Sequence, residues 1–159
     1  MERIEVVRRI PAPAARVVGL LWDPVELQRA WDPISEVAVS YHDGRNQEFT
    51  MRVRRDGRIE SVRTIRFRRG RTITFFTPLA PPMMTCHRGA WLVQNGTGTG
   101  MSVVTAVREY ELRADHPAAR EPAVFRAAFL ARLGAILDRC ADHLGVPGGP
   151  STEGAGDEI

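Results

Sequence analysis

Arg120–Leu144 reads REPAVFRAAFLARLGAILDRCADHL and carries the longest helical signal in the chain. Pro122 suits a first helical turn, where a missing N–H costs nothing, and Glu121 places negative charge at the positive end of the helix dipole. Phe125, Phe129, Leu133, Ile136, Leu137, Cys140 and Leu144 recur at three- and four-residue steps and form one apolar stripe. Arg126, Arg132, Asp138, Arg139 and Asp142 fall mostly off it. Gly145 and Pro147 stop the helix. At 1.5 Å per residue such a helix is roughly 36 Å long, enough to cross a small domain. It needs a surface to lie on.

The residues upstream supply one. Arg3–Ile10 alternates as a strand, and Pro11 and Pro13 end it. Ala14–Trp22 and Val25–Trp31 read as two short helices separated by Asp23-Pro24, and Asp32-Pro33 closes the second. From Ile34 the period becomes two. Strands are expected at Val37–Tyr41, Gln47–Arg54, Arg58–Phe67, Arg71–Phe76, Met83–Gln94 and Met101–Arg113, with turns at 42–46, Asp56-Gly57, Arg68–Gly70 and Asn95–Gly100. A strand, two short helices, six consecutive antiparallel strands and a long helix make an α+β pattern, with one curved sheet wrapped around the helix. The domain spans residues 1–146. Residues 147–159 are glycine-rich and acidic, and a disordered tail is expected there.

The 159 residues suit one domain with a substantial core, and 43% hydrophobic with 26% charged residues is the balance of a soluble globular chain. No run approaches the roughly 20 apolar residues of a membrane span. The charged N-terminus MERIEVVRRI lacks the form of a signal peptide, so a cytoplasmic location is expected. All 22 basic residues are arginine, which excludes Schiff-base and lysine-nucleophile chemistry. Arginine holds anions but is a poor base. Acid–base work therefore falls to the histidines, tyrosines and carboxylates. Cys86 and Cys140 have neither metal-ligand nor disulfide spacing, and no metal or organic cofactor is implied.

Polar residues on strand positions suggest a lined cavity rather than a dry core. On Met83–Gln94, one parity carries Met83, Thr85, His87, Gly89 and Trp91, a mixed set suited to a pocket wall. His87 is the candidate for moving protons near pH 7. On Arg58–Phe67 two readings stand side by side. Ile59, Ile65 and Phe67 favour the odd positions facing inward, whereas a cavity role needs Val62, Thr64 and Arg66 inside. Arg108 on the last strand reads equally as inward or as surface.

The chain resembles the START-related, Bet v 1-like (SRPBCC) superfamily, and within it the polyketide aromatase/cyclases. The resemblance covers about Glu5–Leu144. It rests on the element order, Pro11-Ala12-Pro13, Ala30-Trp31, Thr64-x-Arg66, Gly89-Ala90-Trp91 and Glu109-Tyr110. It implies a helix-grip fold with an internal cavity and regiospecific aldol cyclisation and dehydration of a carrier-bound poly-β-ketone. By the same resemblance Arg66 polarises a carbonyl or enolate oxygen with Thr64 beside it, and Trp91 lines the chamber. Arginine's planar donor fork suits such an oxygen. Trp31, Met83, Phe125, Phe129 and Arg108 complete the expected substrate-binding set, with Arg66, Thr64 and His87 as the catalytic one.

Nine arginines lie between Arg52 and Arg71. Without interleaved aromatic side chains they do not make a nucleic-acid surface. A basic rim of this kind would suit an anionic partner such as an acyl carrier protein. The rival functions are a non-catalytic carrier of a hydrophobic small molecule and a regulatory protein that binds a partner. Monomer and homodimer are both compatible with the sequence.

Overall fold

Local punctuation sets the order of elements in the chain, here a computed structural model that describes residues 1–145. The expectation for residues 147–159 lies outside the described residues. The elements are β1 (Glu2–Ile10), α1 (Ala14–Trp22), α2 (Pro24–Ala30), β2 (Ile34–His42), β3 (Asn46–Arg55), β4 (Arg58–Arg69), β5 (Thr72–Leu79), β6 (Met84–Asn95), β7 (Ser102–Leu112) and α3 (Pro122–Gly145), with a 3-10 turn at Pro117–Arg120 before α3. All seven strands form one antiparallel sheet in the order β1-β7-β6-β5-β4-β3-β2. This is the expected helix-grip arrangement, and the boundaries differ from the sequence reading mostly by one to three residues.

Asp23 is the joint between α1 and α2. Its backbone N–H donates to Gly19 O and closes α1, while its side chain accepts from the N–H groups of Val25 and Glu26 and caps α2. Pro24 follows at the first position of α2, where it needs no donor. Asp56 and Gly57 both have positive φ, 49° and 74°, which matches the twist of the β3–β4 hairpin they connect.

The core lies between the concave face of the sheet and the helices. It takes Val17, Val18, Leu20 and Leu21 from α1, Leu27 and Ala30 from α2, and Leu133, Leu137 and Cys140 from α3. The stripe on α3 is therefore buried over its second half only. Phe125 and Phe129 are half-buried, and residues 121–130 include no buried side chain. That first half stands over β6 and β7 through its two phenylalanine rings.

Candidate functional site

The inward side chains of neighbouring strands line up in rows, because paired residues in an antiparallel sheet share a face. One row crosses five strands: Gln47, Arg66, Phe75, Gly89 and Arg108 are successive partners from β3 to β7. Next to it, His87 pairs with Tyr110. These two rows hold three buried polar residues, Gln47, Arg66 and Arg108, and His87.

On β4 the inward positions are Val62, Thr64 and Arg66, all buried, while Ile59 and Phe67 are exposed. The apolar residues of the odd set face solvent, and Phe67 stacks on Phe76 of β5 with ring centres 6.2 Å apart. Arg66 is 3% exposed. Its Nη1 donates to Leu21 O at 2.6 Å and its Nη2 to Trp22 O at 2.6 Å, two carbonyls at the end of α1 that no further helical turn can meet. Its Nε and Nη2 also donate to Gln47 Oε1, at 2.9 and 2.5 Å. Gln47 Nε2 in turn donates to Trp22 O at 3.2 Å. The guanidinium lies between the rings of Trp22 and Phe49, 5.1 and 4.6 Å from their centres. Four of its five N–H groups are thus engaged, and one Nη1 hydrogen remains. A cation at the C-terminal end of a helix is also favoured by the helix dipole.

Arg108, 5% exposed, is held differently. Its guanidinium is sandwiched between Trp91 and Phe75, 4.2 and 4.6 Å from the ring centres. Nη1 donates to Val107 O at 2.7 Å and to Ala90 O at 3.4 Å, and no carboxylate meets it among the described residues. The sandwich exists because Gly89 has no side chain: a Cβ there would lie 2.2 Å from Val107 O and 2.9 Å from Phe75 Cε1. Burial lowers both arginines from the ordinary value to about 9, so both remain cations at neutral pH.

His87 has the Phe75 ring 5.4 Å away on one side and the Phe129 ring 5.9 Å away on another. Its backbone carbonyl accepts from Thr77 Oγ1 at 3.0 Å. One edge of the residue is partly open, but both ring nitrogens are shielded from solvent and have no hydrogen-bond partner. Burial, then the positive charges of Arg108 and Arg55, push its pKa down to about 3. The imidazole is neutral at pH 7 and a weak base. Tyr110, 1% exposed, completes an aromatic cluster with Phe125 and Phe129, its ring centre 5.4 and 5.3 Å from theirs.

A measurable consequence concerns acid stability. Unfolding returns His87 to its ordinary value of about 6.5, so the unfolded chain binds a proton that the folded chain refuses between about pH 6.5 and 3. Stability therefore falls as pH drops through that window. From pH 6.5 to 4.5 the expected loss from this residue is about 2–3 kcal/mol. Urea titrations across that range should show a shallower acid limb in His87→Phe than in the wild-type chain. Identical limbs would mean that His87 takes up its proton while folded.

Two expectations need correction. The Met83–Thr85–His87 alternation is broken by an extra residue in β6 between Met84 and Cys86, so Thr85 is exposed and bonds Glu111, while Met84 is buried. Beneath α3, Phe75, His87, Phe129, Tyr110 and Phe125 form a run of neighbouring rings with centres 5.3–5.9 Å apart. Two recesses are present. One, of about 350 Å³, is bordered by Arg3, Thr74, Arg88 and Glu109 and also borders Phe75 and Gly89, and the other, of about 540 Å³, is bordered by Pro13, Arg71 and the loop at 98–101. The basic band is also less basic than its composition: Arg52, Arg55 and Arg63 pair with Glu36, Glu60 and Glu48, and Arg66 is inside.

The remaining expected residues divide. Trp91, Phe125, Phe129 and Arg108 join the cluster around His87. Trp31, at the end of α2, and Met83, before β6, are half-buried at the margin of the core. Phe75, Gln47 and Thr77 were absent from the sequence expectation. Phe75 and Thr77 alternate with exposed Thr74 and Phe76, a period-two signal that their positions in a short strand made weak.

A protein-family comparison matches residues 1–145 to a family described as polyketide cyclase / dehydrase and lipid transport. The chain belongs to this family. The helix-grip element order and the resemblance to the START and Bet v 1 superfamily agree with that membership. No curated protein matches the chain significantly. Among solved structures, the family member described here is similar in fold to a protein from Thermus thermophilus, with 16% identity over 90% of this chain and 97% of that one, and a TM-score of 0.79. It is also similar to the di-domain aromatase/cyclase BexL of the BE-7585A biosynthetic pathway, with 20% identity, 92% of this chain covered and a TM-score of 0.76. The match spans 51% of BexL, about half of that di-domain. The Zhui aromatase/cyclase from Streptomyces sp. R1128 shows 17% identity over 90% of each chain and a TM-score of 0.73. Among the described residues no helix is long and apolar enough to cross a membrane.

Proposed function

We propose that this family member binds a hydrophobic, oxygen-rich small molecule against the aromatic cluster beneath α3 and directs the aldol cyclisation and dehydration of a poly-β-ketone. The observation that carries this reading is the pairing of buried cations with an unpartnered histidine on the concave face. Ring closure between carbonyl groups needs an enolate stabilised and a carbonyl polarised, and fixed cations in a low-dielectric setting supply both. Arg66 offers its one remaining N–H and a permanent charge, with Thr64 next to it on the same face. His87 hands protons between substrate oxygens. An anionic oxygen close to His87 would raise its pKa from about 3 toward a more useful range. Trp91, Phe125 and Phe129, with Trp31 and Met83 at the margin, hold the chain in one folded shape, and positioning contributes to the rate directly. An acyl carrier protein is the proposed donor of the substrate.

A second reading, a non-catalytic carrier of the same class of molecule, is favoured by one specific observation. The buried polar residues described are Gln47, Thr64, Arg66, Thr77, Ser102 and Arg108, a set without a carboxylate to act as a base. The two readings separate on reconstitution with a minimal ketosynthase, chain-length factor and carrier protein. A new aromatic product with the wild-type chain, reduced at least tenfold with His87→Phe, is the expected result. The same shunt products with and without the chain would leave the carrier as the better account.

A further inference from the structure

We propose that Arg108 and His87 together form a binding subsite for a planar aromatic ligand that carries an acidic oxygen. The inference rests on the reading above for where a ligand sits, and is independent of whether a ring is closed there.

The argument begins with the difference between the two buried arginines. Arg66 has spent four of its five N–H groups on protein acceptors. Arg108 uses Nη1 alone, and its Nε and Nη2 have no acceptor among the described residues. A desolvated cation without an anion is costly, and nothing in the fold requires Arg108 to carry it. Its two faces are closed by Trp91 and Phe75. Only its edge is left, and the edge of a guanidinium is the part that takes a carboxylate or phenolate oxygen in its plane.

His87 is the diagonal neighbour of Arg108 across the β6–β7 pair, since His87 faces Tyr110 and Gly89 faces Arg108. Both groups pack on the same Phe75 ring. A neutral imidazole presents one N–H and one lone pair, and here both are shielded and unpartnered. An acidic oxygen held at the Arg108 edge can also accept from the imidazole N–H. The charges around the imidazole reinforce the choice: Arg108 on β7 and Arg55 on β3 both act on it. On α3 Arg132 lies over the Phe125 and Phe129 rings, 5.9 and 5.6 Å from their centres. Glu60 pairs with Arg55 at 3.2 Å, so it partly offsets that charge at the rim.

The ligand is flat because the walls are. Phe75, Tyr110, Phe125 and Phe129 present ring faces and edges, and Phe129 is half-buried on the part of α3 that buries no side chain. A ligand beside His87 requires Phe129 to turn outward.

The test is a calorimetric titration of the full chain with 1-hydroxy-2-naphthoate and with its methyl ester, which keeps the shape and removes the charge. The wild-type chain should bind the acid at least about tenfold more tightly than the ester. Arg108→Met should bring that ratio close to one while raising the melting temperature of the ligand-free protein, because it removes an uncompensated buried charge. A purely structural arginine would give the opposite shift in melting temperature. Arg108→Lys, which keeps the charge without the planar fork, is the second variant and should retain a smaller preference for the acid. His87→Phe should weaken the acid several-fold and leave the ester unchanged. Equal binding of acid and ester by the wild-type chain would overturn the inference and leave the pocket reading standing. Failure of both probes to bind, alongside an aromatic product in the reconstitution, would overturn the inference alone.

Discussion

Replacing Arg66 with alanine should lower the folding free energy by about 3–5 kcal/mol, the loss expected when buried acceptors lose their donor and a large buried side chain leaves a void. Two acceptors are stranded at once, the carbonyl of Leu21 and Oε1 of Gln47, and the carbonyl of Trp22 keeps only its 3.2 Å bond from Gln47 Nε2. The two carbonyls close α1, and the sandwich with Trp22 and Phe49 is lost with them. Removing the buried positive charge returns part of this, which is why the expected loss stays below the sum of the separate bonds. Arg66→Lys should fall in between, since an ammonium group cannot reach three acceptors as a planar fork does. Urea unfolding with an unchanged denaturant slope is the measurement. A loss under about 1 kcal/mol for Arg66→Ala would show that these bonds contribute little to the fold. Product assays on this variant belong well below its melting temperature, where a loss of turnover can be separated from a loss of folded protein.

Gly89→Ala is expected to cost about 3 kcal/mol or more, at the upper end for overpacking. The added carbon would sit 2.2 Å from Val107 O, which is backbone in the adjoining strand and cannot rotate away. Phe75 Cε1, at 2.9 Å, would have to move as well, and Phe75 is one face of the Arg108 sandwich. The variant should therefore lose stability and disturb the arginine together, visible as a lower melting temperature and a changed near-ultraviolet signal from Trp91. An alanine that is tolerated with less than about 1 kcal/mol of loss would mean that β6 and β7 can separate locally without cost.

The same two residues show how far local pattern reaches. Gly89 could be read as a small residue on a pocket wall, because alternation in a strand is a local property. That Phe75 and Arg108 both use the space it leaves depends on the register of three strands. For Arg66 the apolar odd positions Ile59, Ile65 and Phe67 pointed one way and the Thr64-x-Arg66 pair the other. The pair faces inward, and the phenylalanine stacks outside on Phe76. Hydrophobicity of a strand face is a poor guide in this sheet because its convex side carries exposed apolar rings and its concave side carries cations.

Much was legible without the fold. The stripe on α3, the Asp23-Pro24 joint, the hairpin turns and the six-strand run all follow from spacings of a few residues, where sterics, capping and period act directly. The resemblance to a family also rests on such short motifs in their order. The partners of Arg66 lie 19, 44 and 45 residues away in the chain, and no local rule reports them. Nor does any local rule report the extra residue at Thr85, the carboxylates that neutralise Arg52, Arg55 and Arg63, or the aromatic rings that meet under α3. Those features arise from which strands are neighbours, and strand neighbours are chosen by the closing of the whole sheet over its helices. Burial, and with it the difference between an arginine that anchors a helix end and one left without an anion, exists only after that closure.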